Sequence, residues 1–234
     1  MRTIPAQPTL VDRVVETVIS EIVDGHLPAN TRLIQDELAQ AYGVSRHPVQ
    51  QALLLLKTRG LVREAPGRGL VVPPLDVEYA RNLYEIRAML DGLAARMAAD
   101  HGARRAAAEG PAYLAAGRAA IASGVLNAQI EADMKFHGFL CELSRNPLIG
   151  ETTEPHWPYL RRIMGEVLRG DLKMPDNIWD EHAGILDAVI AGDGDAAERL
   201  SREHIRNAAE VFVDRLQLRH REEEGQRRQR RIER

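Results

Sequence analysis

The sequence predicts a mainly α protein in two parts: an N-terminal winged helix-turn-helix and a C-terminal antiparallel all-α helical bundle. Three observations predict it. Residues 34–72 read as helix, tight turn, helix and β-hairpin. Pro73 and Pro74 then make a stiff, extended joint, because the residue before a proline is pushed out of the helical region. Beyond them the apolar residues keep a helical period nearly to the end, with breaks short enough to fold successive helices back on one another. The expected domains are residues 1–72, a linker at 73–75, a bundle at 76–221 and a charged tail at 222–234.

In chain order, residues 1–9 carry two prolines and no periodicity and read as a flexible arm. A helix over Leu10–Asp24 follows, with Val11, Val14, Val15, Val18, Ile19 and Ile22 on one face and Gly25 closing it. Thr31 to Leu33 supply a short strand that pairs with the wing. Gly43 stands where the chain reverses between the next two helices, Ser45 caps the second, and Pro48 falls in its first turn, where a missing N–H costs little. Val49, Ala52, Leu53 and Leu56 form that helix's buried stripe. The wing turns at Ala65–Gly69 and places Arg68 at its tip. Six bundle helices are then expected, at about Asp76–His101, Ala103–Gly124, Asn127–Arg145, Pro147–Arg169, Asp176–Ala191 and Asp195–Arg221. Gly110, Pro111 and Gly117 interrupt the second of these. The tail after Arg221 mixes both charges densely and reads as a frayed, solvated helix end.

Composition narrows the class. No apolar run is long enough to span a bilayer and the first residues lack a signal-peptide core, so a cytoplasmic protein with no membrane partner is expected. The single cysteine, Cys141, excludes an internal disulfide and fits a reducing compartment. The net charge of −3 hides an asymmetry: residues 1–72 carry eight basic and seven acidic groups, which leaves −4 for the remainder. Between Val44 and Val72 five basic residues face one acid, the local excess that phosphate binding needs.

Arg46, His47 and Gln50 lie off the buried stripe, near the N-terminal end of the second helix of the motif. In a recognition helix that end enters the major groove, and these side chains match base edges and phosphates of double-stranded DNA. Ser45 and Arg68 complete the candidate DNA-binding set. The plainer reading is a small domain whose polar face is merely solvated.

Inside the bundle, Asp133 and His137 are four apart and point the same way. His182 and His204 each lie eleven residues from Asp193, so folding back about the Gly192–Asp195 turn brings both to one depth. One carboxylate and three imidazoles suit Zn²⁺ or another divalent first-row ion. Hydrogen-bonded core histidines are the plain alternative. Cys141 continues the Asp133 and His137 face, either as a soft fifth ligand or as a small buried hydrophobe. Arg87 precedes Asp91 by four residues, the spacing of a simple helical ion pair.

The stretches GVSRHPVQQALLLLKTRGLV and GRGLVV, with the lead-in DGHLPANTRLIQDELAQAYG, resemble the winged helix of the GntR family of bacterial transcription regulators over about residues 10–72. EIRAMLDGLAARMAA, ADMKFHGFLCELSRNPLI, EHAGILDAVIAGD and SREHI resemble the FadR C-terminal effector domain, FCD, and six helices suit its VanR-like subgroup. The resemblance implies a ligand-responsive homodimeric regulator, more commonly a repressor, on a palindromic operator. It implies that Asp133, His137, His182 and His204 hold a metal and that Arg87 grips a small carboxylate effector bidentately. Three positions depart from the family pattern: Gln50 replaces arginine, which shifts the expected base from guanine towards adenine; Asp91 replaces glutamate; and Arg145 replaces glycine in the SRN turn. Two other classes are weighed against this reading. One is a metalloenzyme with an Asp/His₃ site, which lacks an evident general base. The other is a DNA-binding module whose bundle only dimerises.

Overall fold

A computed structural model describes residues 8–67, 69–169 and 177–232 of the chain. Arg68, most of the arm at 1–9 and the expected helix start at Asp176 lie outside the described residues. The chain divides after Leu75 into two compact units.

The first unit opens with α1, Leu10–Asp24, where the sequence expects it. Thr9 and Asp12 close a capping box at its start and Gly25 ends it at φ 83°. Strand β1 (Arg32–Leu33), helices α2 (Gln35–Ala41) and α3 (Arg46–Thr58), and strands β2 (Arg63–Glu64) and β3 (Leu70–Val71) follow. The strands form an antiparallel sheet in the order β1-β3-β2, with Arg32 opposite Val71 and Arg63 opposite Val71 on the other side. Val49, Ala52, Leu53 and Leu56 are each fully buried, the expected stripe, and pack α3 under α1. Gly43 takes φ 64° at the reversal. One expectation changes. Ser45 occupies the N-cap of α3 with extended backbone, but its side chain makes no capping hydrogen bond and stays exposed.

The second unit is a helical bundle: α4 (Val77–Ser123), α5 (Leu126–Leu143), α6 (Pro147–Thr153), a single 3₁₀ turn (Glu154–His156), α7 (Trp157–Leu168), α8 (Ile178–Ile190) and α9 (Gly194–Ile232). Three boundaries differ from expectation. The first two expected helices are one helix of 47 residues, α4, so Gly102 and the Gly110-Pro111-Gly117 stretch do not break it. Those glycines let other helices approach. A Cβ on Gly110 would lie 2.5 Å from Leu186, and one on Gly117 would lie 2.0 Å from Trp179, both on α8. Burial of α8 against α4 therefore outweighs the weak helix propensity of this stretch. The expected helix over Pro147–Arg169 is split instead, because Pro155 and Pro158 remove neighbouring backbone donors and force a tight turn before α7. At the other end α9 does not stop near Arg221 but runs to Ile232, through Arg, Glu and Gln with no proline.

Gly117→Ala tests this packing. The helix propensity gained, about 1 kcal/mol, is smaller than the overpacking penalty of about 1 to 3 kcal/mol where the side chain in the way is a buried indole. We expect a lower urea midpoint; an unchanged or raised midpoint would show that α4 and α8 are further apart than described. No helix among the described residues is long and apolar enough to cross a membrane.

Candidate metal centre and nucleic-acid face

The bundle's interior is polar at one level. Asp133 and His137 come from α5, His182 from α8 and His204 from α9, all at most 3% exposed. One ligand atom from each lies within 4.8 Å of the others. The antiparallel return of α9 on α8 does bring the two distant histidines together, with ring centroids 4.4 Å apart. His137 Nε2 is 3.3 Å from His182 Nε2, and Asp133 Oδ1 is 3.8 Å and 3.5 Å from these two nitrogens.

Two further carboxylates, Asp91 and Glu181, decide what this geometry can do. Asp91 Oδ2 stands 3.2 Å from His137 Nδ1, and Glu181 Oε2 stands 2.7 Å from His204 Nδ1. A carboxylate only accepts, so His204 Nδ1 carries the hydrogen of its bond to Glu181, while His137 Nδ1, near Asp91 but not aligned for a hydrogen bond, is favoured in the same tautomer by that charge; Nε2 of each ring is then left with a lone pair. Lone pairs and a carboxylate converging in a dry interior repel unless a cation lies between them. Tetrahedral metal–nitrogen bonds of about 2.0 to 2.1 Å put neighbouring ligands about 3.4 Å apart, close to the spacing seen here. The residues fit a divalent ion, and carboxylate-held Nδ1 atoms are how metal-binding imidazoles are commonly oriented.

Arg87, on α4, donates from Nε to Asp91 Oδ2 at 3.1 Å, and its Nη2 lies 3.8 Å from Asp133 Oδ2. Burial works against its charge, but Asp91 and Asp133 hold its pKa above the ordinary value. Burial likewise opposes the Asp91 carboxylate, and Arg87 and His137 keep it below the usual range. The Arg87 guanidinium also lies 5.5 Å from the centroid of the Trp157 ring. Cys141 is half-buried, outside the ligand set, with its thiol pushed up to about 12 by burial. It is a protonated filler beside the cluster rather than a ligand.

Burial pushes the His137 imidazole down, and Arg87 adds to the effect; burial drives His182 further down, with His204 and His137 contributing. Both are therefore neutral in the metal-free fold. A folded pKa below the ordinary 6.5 means that the unfolded chain binds more protons as pH falls past that value. Metal-free protein is therefore expected to be fully stabilised above pH 6.5 and to lose stability progressively below it. Urea midpoints at several pH values check this, and a flat profile from pH 7 to 5 would contradict it.

In the first unit Ser45, Arg46, His47 and Gln50 are all exposed at the N-terminal end of α3. Arg46 Nε pairs with Asp36 Oδ1 of α2 at 2.8 Å, a surface ion pair weak enough to be exchanged for a phosphate or a base. The sequence reading missed Leu54. In the run of four leucines it looks like core, yet it is 56% exposed and lies one turn beyond Gln50, on the same face. Only the 3.6-residue period, followed residue by residue, separates it from the buried Leu53 and Leu56. Glu181 was missed as well, since nothing in its spacing marks it as the partner of His204.

Comparison with known proteins agrees with both units. The family model described as bacterial regulatory proteins, gntR family, matches residues 10–72, and the FCD domain model matches residues 82–207, more than half of the chain. The Escherichia coli K12 HTH-type transcriptional repressor RspR is 27% identical over 206 residues, 88% of this chain and 90% of that protein. Among solved structures, E. coli McbR/YncC superposes with a TM-score of 0.77 at 21% identity, covering 89% of this chain and 99% of that one. A GntR transcriptional regulator from Rhodococcus sp. RHA1 superposes at 0.73 and 23% identity, covering 87% and 97%. These two likenesses speak for the fold. The families matched are families of transcriptional regulators, not of enzymes, which removes the metalloenzyme alternative. The chain is a transcription regulator of the GntR family, in the branch that joins its helix-turn-helix to an FCD domain.

Proposed function

We propose that the protein is a ligand-responsive repressor that binds a palindromic operator as a homodimer and senses a small organic acid through a metal-containing helical domain. The observation that carries this reading is the buried convergence of Asp133, His137, His182 and His204 next to the Arg87 guanidinium. When bound, a divalent ion such as Zn²⁺ supplies Lewis acidity towards a carboxylate oxygen. The protein's own groups do the rest. Asp91 and Glu181 fix the imidazole tautomers, and Arg87 offers Nη2, which has no hydrogen-bond partner among the described residues, to the same carboxylate. Residues 1–72 are the DNA-binding domain and residues 76–221 the sensing and dimerising domain. The cell compartment that fits is the cytoplasm.

Dimerisation is supported by an apolar stripe on α4. Tyr79, Ile86 and Leu93 recur every seven residues, Met89 joins them, and all four are at least 40% exposed. The repressor reading is supported by the name of the RspR relative. Effector control requires that the acid bind one arrangement of the paired subunits better than another, since only differential affinity moves the equilibrium.

The test is operator binding by the full chain, with the operator recovered by selection from random duplexes. We expect a palindromic site bound by a dimer, as read by sedimentation, and weakened affinity when metal and effector acid are added together. Arg46→Ala should lower affinity by about 1 to 3 kcal/mol with relaxed specificity at one position of each half-site if it reads a base, or uniformly if it meets phosphate. Recovery of no palindrome would overturn the reading of a dimer on a palindromic operator, and Arg46→Ala binding as tightly as wild type would overturn the role of Arg46.

A further inference from the structure

Buried polar atoms left without partners are uncommon in folded proteins, because each gives up hydration for nothing. Several occur on helices of this bundle, on α4 and on the ligand-bearing α8 and α9. Among the described residues Tyr84 Oη and Arg87 Nη2 on α4, Trp179 Nε1 and His182 Nδ1 on α8, and Ser201 Oγ on α9 are buried with no hydrogen-bond partner. All five are able to donate. The unmet need around this centre is for acceptor oxygens.

Tyr84 is the member of this group that the reading so far leaves unused. It is 1% exposed and lies one turn before Arg87, on the same face of α4. Its ring stacks on Phe212 of α9, with centroids 6.3 Å apart and planes 15° from parallel, so packing holds the direction of the phenol. Phe212 itself is two turns beyond His204 on α9. The hydroxyl is close enough to feel both the Arg87 guanidinium and the Asp133 carboxylate. Burial pushes its pKa up, which keeps it a neutral donor. A phenylalanine would fill the same space without burying a hydroxyl.

We propose that Tyr84 is a specificity-determining donor beside Arg87, selecting effectors that carry a further acceptor oxygen besides the carboxylate at Arg87. The class selected is a hydroxycarboxylate or dicarboxylate rather than a simple monocarboxylate. The inference rests on the reading of Arg87 as the carboxylate grip. A site built to hydrogen-bond an oxygen rejects an analogue that lacks it far more strongly than an apolar pocket rejects a missing methylene.

L-malate and acetate serve as probes, titrated into the metal-loaded full chain by calorimetry. Wild type is expected to bind malate at least about tenfold more tightly than acetate, the scale of one hydrogen bond to a charged group. Tyr84→Phe is expected to lose about that factor for malate while leaving acetate binding, metal content and melting temperature unchanged. Wild-type protein labelled with ¹³Cζ-tyrosine gives an independent reading that needs no variant: the Tyr84 resonance should move with malate and not with acetate. If wild type binds both acids and Tyr84→Phe keeps the preference, or if wild type prefers neither, the role of Tyr84 is overturned while Arg87 stands. If metal-loaded wild type binds neither acid, the carboxylate reading of Arg87 falls and takes Tyr84 with it.

Discussion

Alanine at His182 is expected to reduce bound metal from about one ion per chain to background and to remove most of the stability that the ion supplies. His182 is completely buried, and its Nε2 lies 3.3 Å from His137 Nε2 and 3.5 Å from Asp133 Oδ1. Without it three ligands remain and the charge of Asp133 is less well met. An ion present at about a hundred times its Kd adds about 2.7 kcal/mol to the folded state, and at a thousand times about 4.1 kcal/mol. Removing the imidazole also leaves a void between Phe136 and Trp179, whose ring centroids lie 4.5 Å from that of His182, so part of any loss is packing. Chelation separates the two. Treating wild type with a chelator removes only the ion, so its melting temperature should drop substantially, whereas His182→Ala should already melt low and should not respond. A variant that keeps a full equivalent of metal by elemental analysis would return these histidines to the role of core residues.

The sequence made the winged helix legible almost residue by residue, because local rules decide it. The α1 face, the Gly43 reversal and the α3 stripe each depend on neighbours within a turn or two. The buried Asp/His cluster was legible for a different reason: the turn at Gly192–Asp195 sets the register of two adjacent helices, so counting from it places His182 and His204 at one depth. What local rules could not supply was the partner across the bundle. Gly102, Gly110 and Gly117 look like helix breakers until Leu143, Leu186 and Trp179 are seen against them. Asp91 reads as the plain i, i+4 partner of Arg87. The same oxygen also faces His137, a contact between α4 and α5 that no spacing announces. Glu181 is hidden in the same way, one residue before His182 on α8 yet bonded to His204 on α9.

Asp91→Ala is expected to be the costliest single change in this network. Arg87 and Asp91 are 6% and 3% exposed, and removing one partner of a buried ion pair leaves the other charge without water or counter-ion. Such losses run at about 3 to 5 kcal/mol. Asp133, 3.8 Å from Arg87 Nη2, compensates part of it in the metal-free protein and less once its charge is shared with an ion. Asp91→Ala should therefore fall at or beyond the upper part of that range when metal is bound, read as the shift in urea midpoint. Replacing both partners by apolar side chains, Arg87→Met with Asp91→Leu, removes the orphaned charge and should restore most of the lost stability. It should not restore metal binding, because His137 Nδ1 would still lack the carboxylate that fixes its tautomer, a loss of about 10- to 100-fold in affinity. The two readouts thus divide the roles of Asp91. Recovery of stability with weakened metal binding assigns it both the arginine and the imidazole. Recovery of both would show that His137 needs no orienting partner, and recovery of neither would show that the unpaired Arg87 charge is not the source of the lost stability.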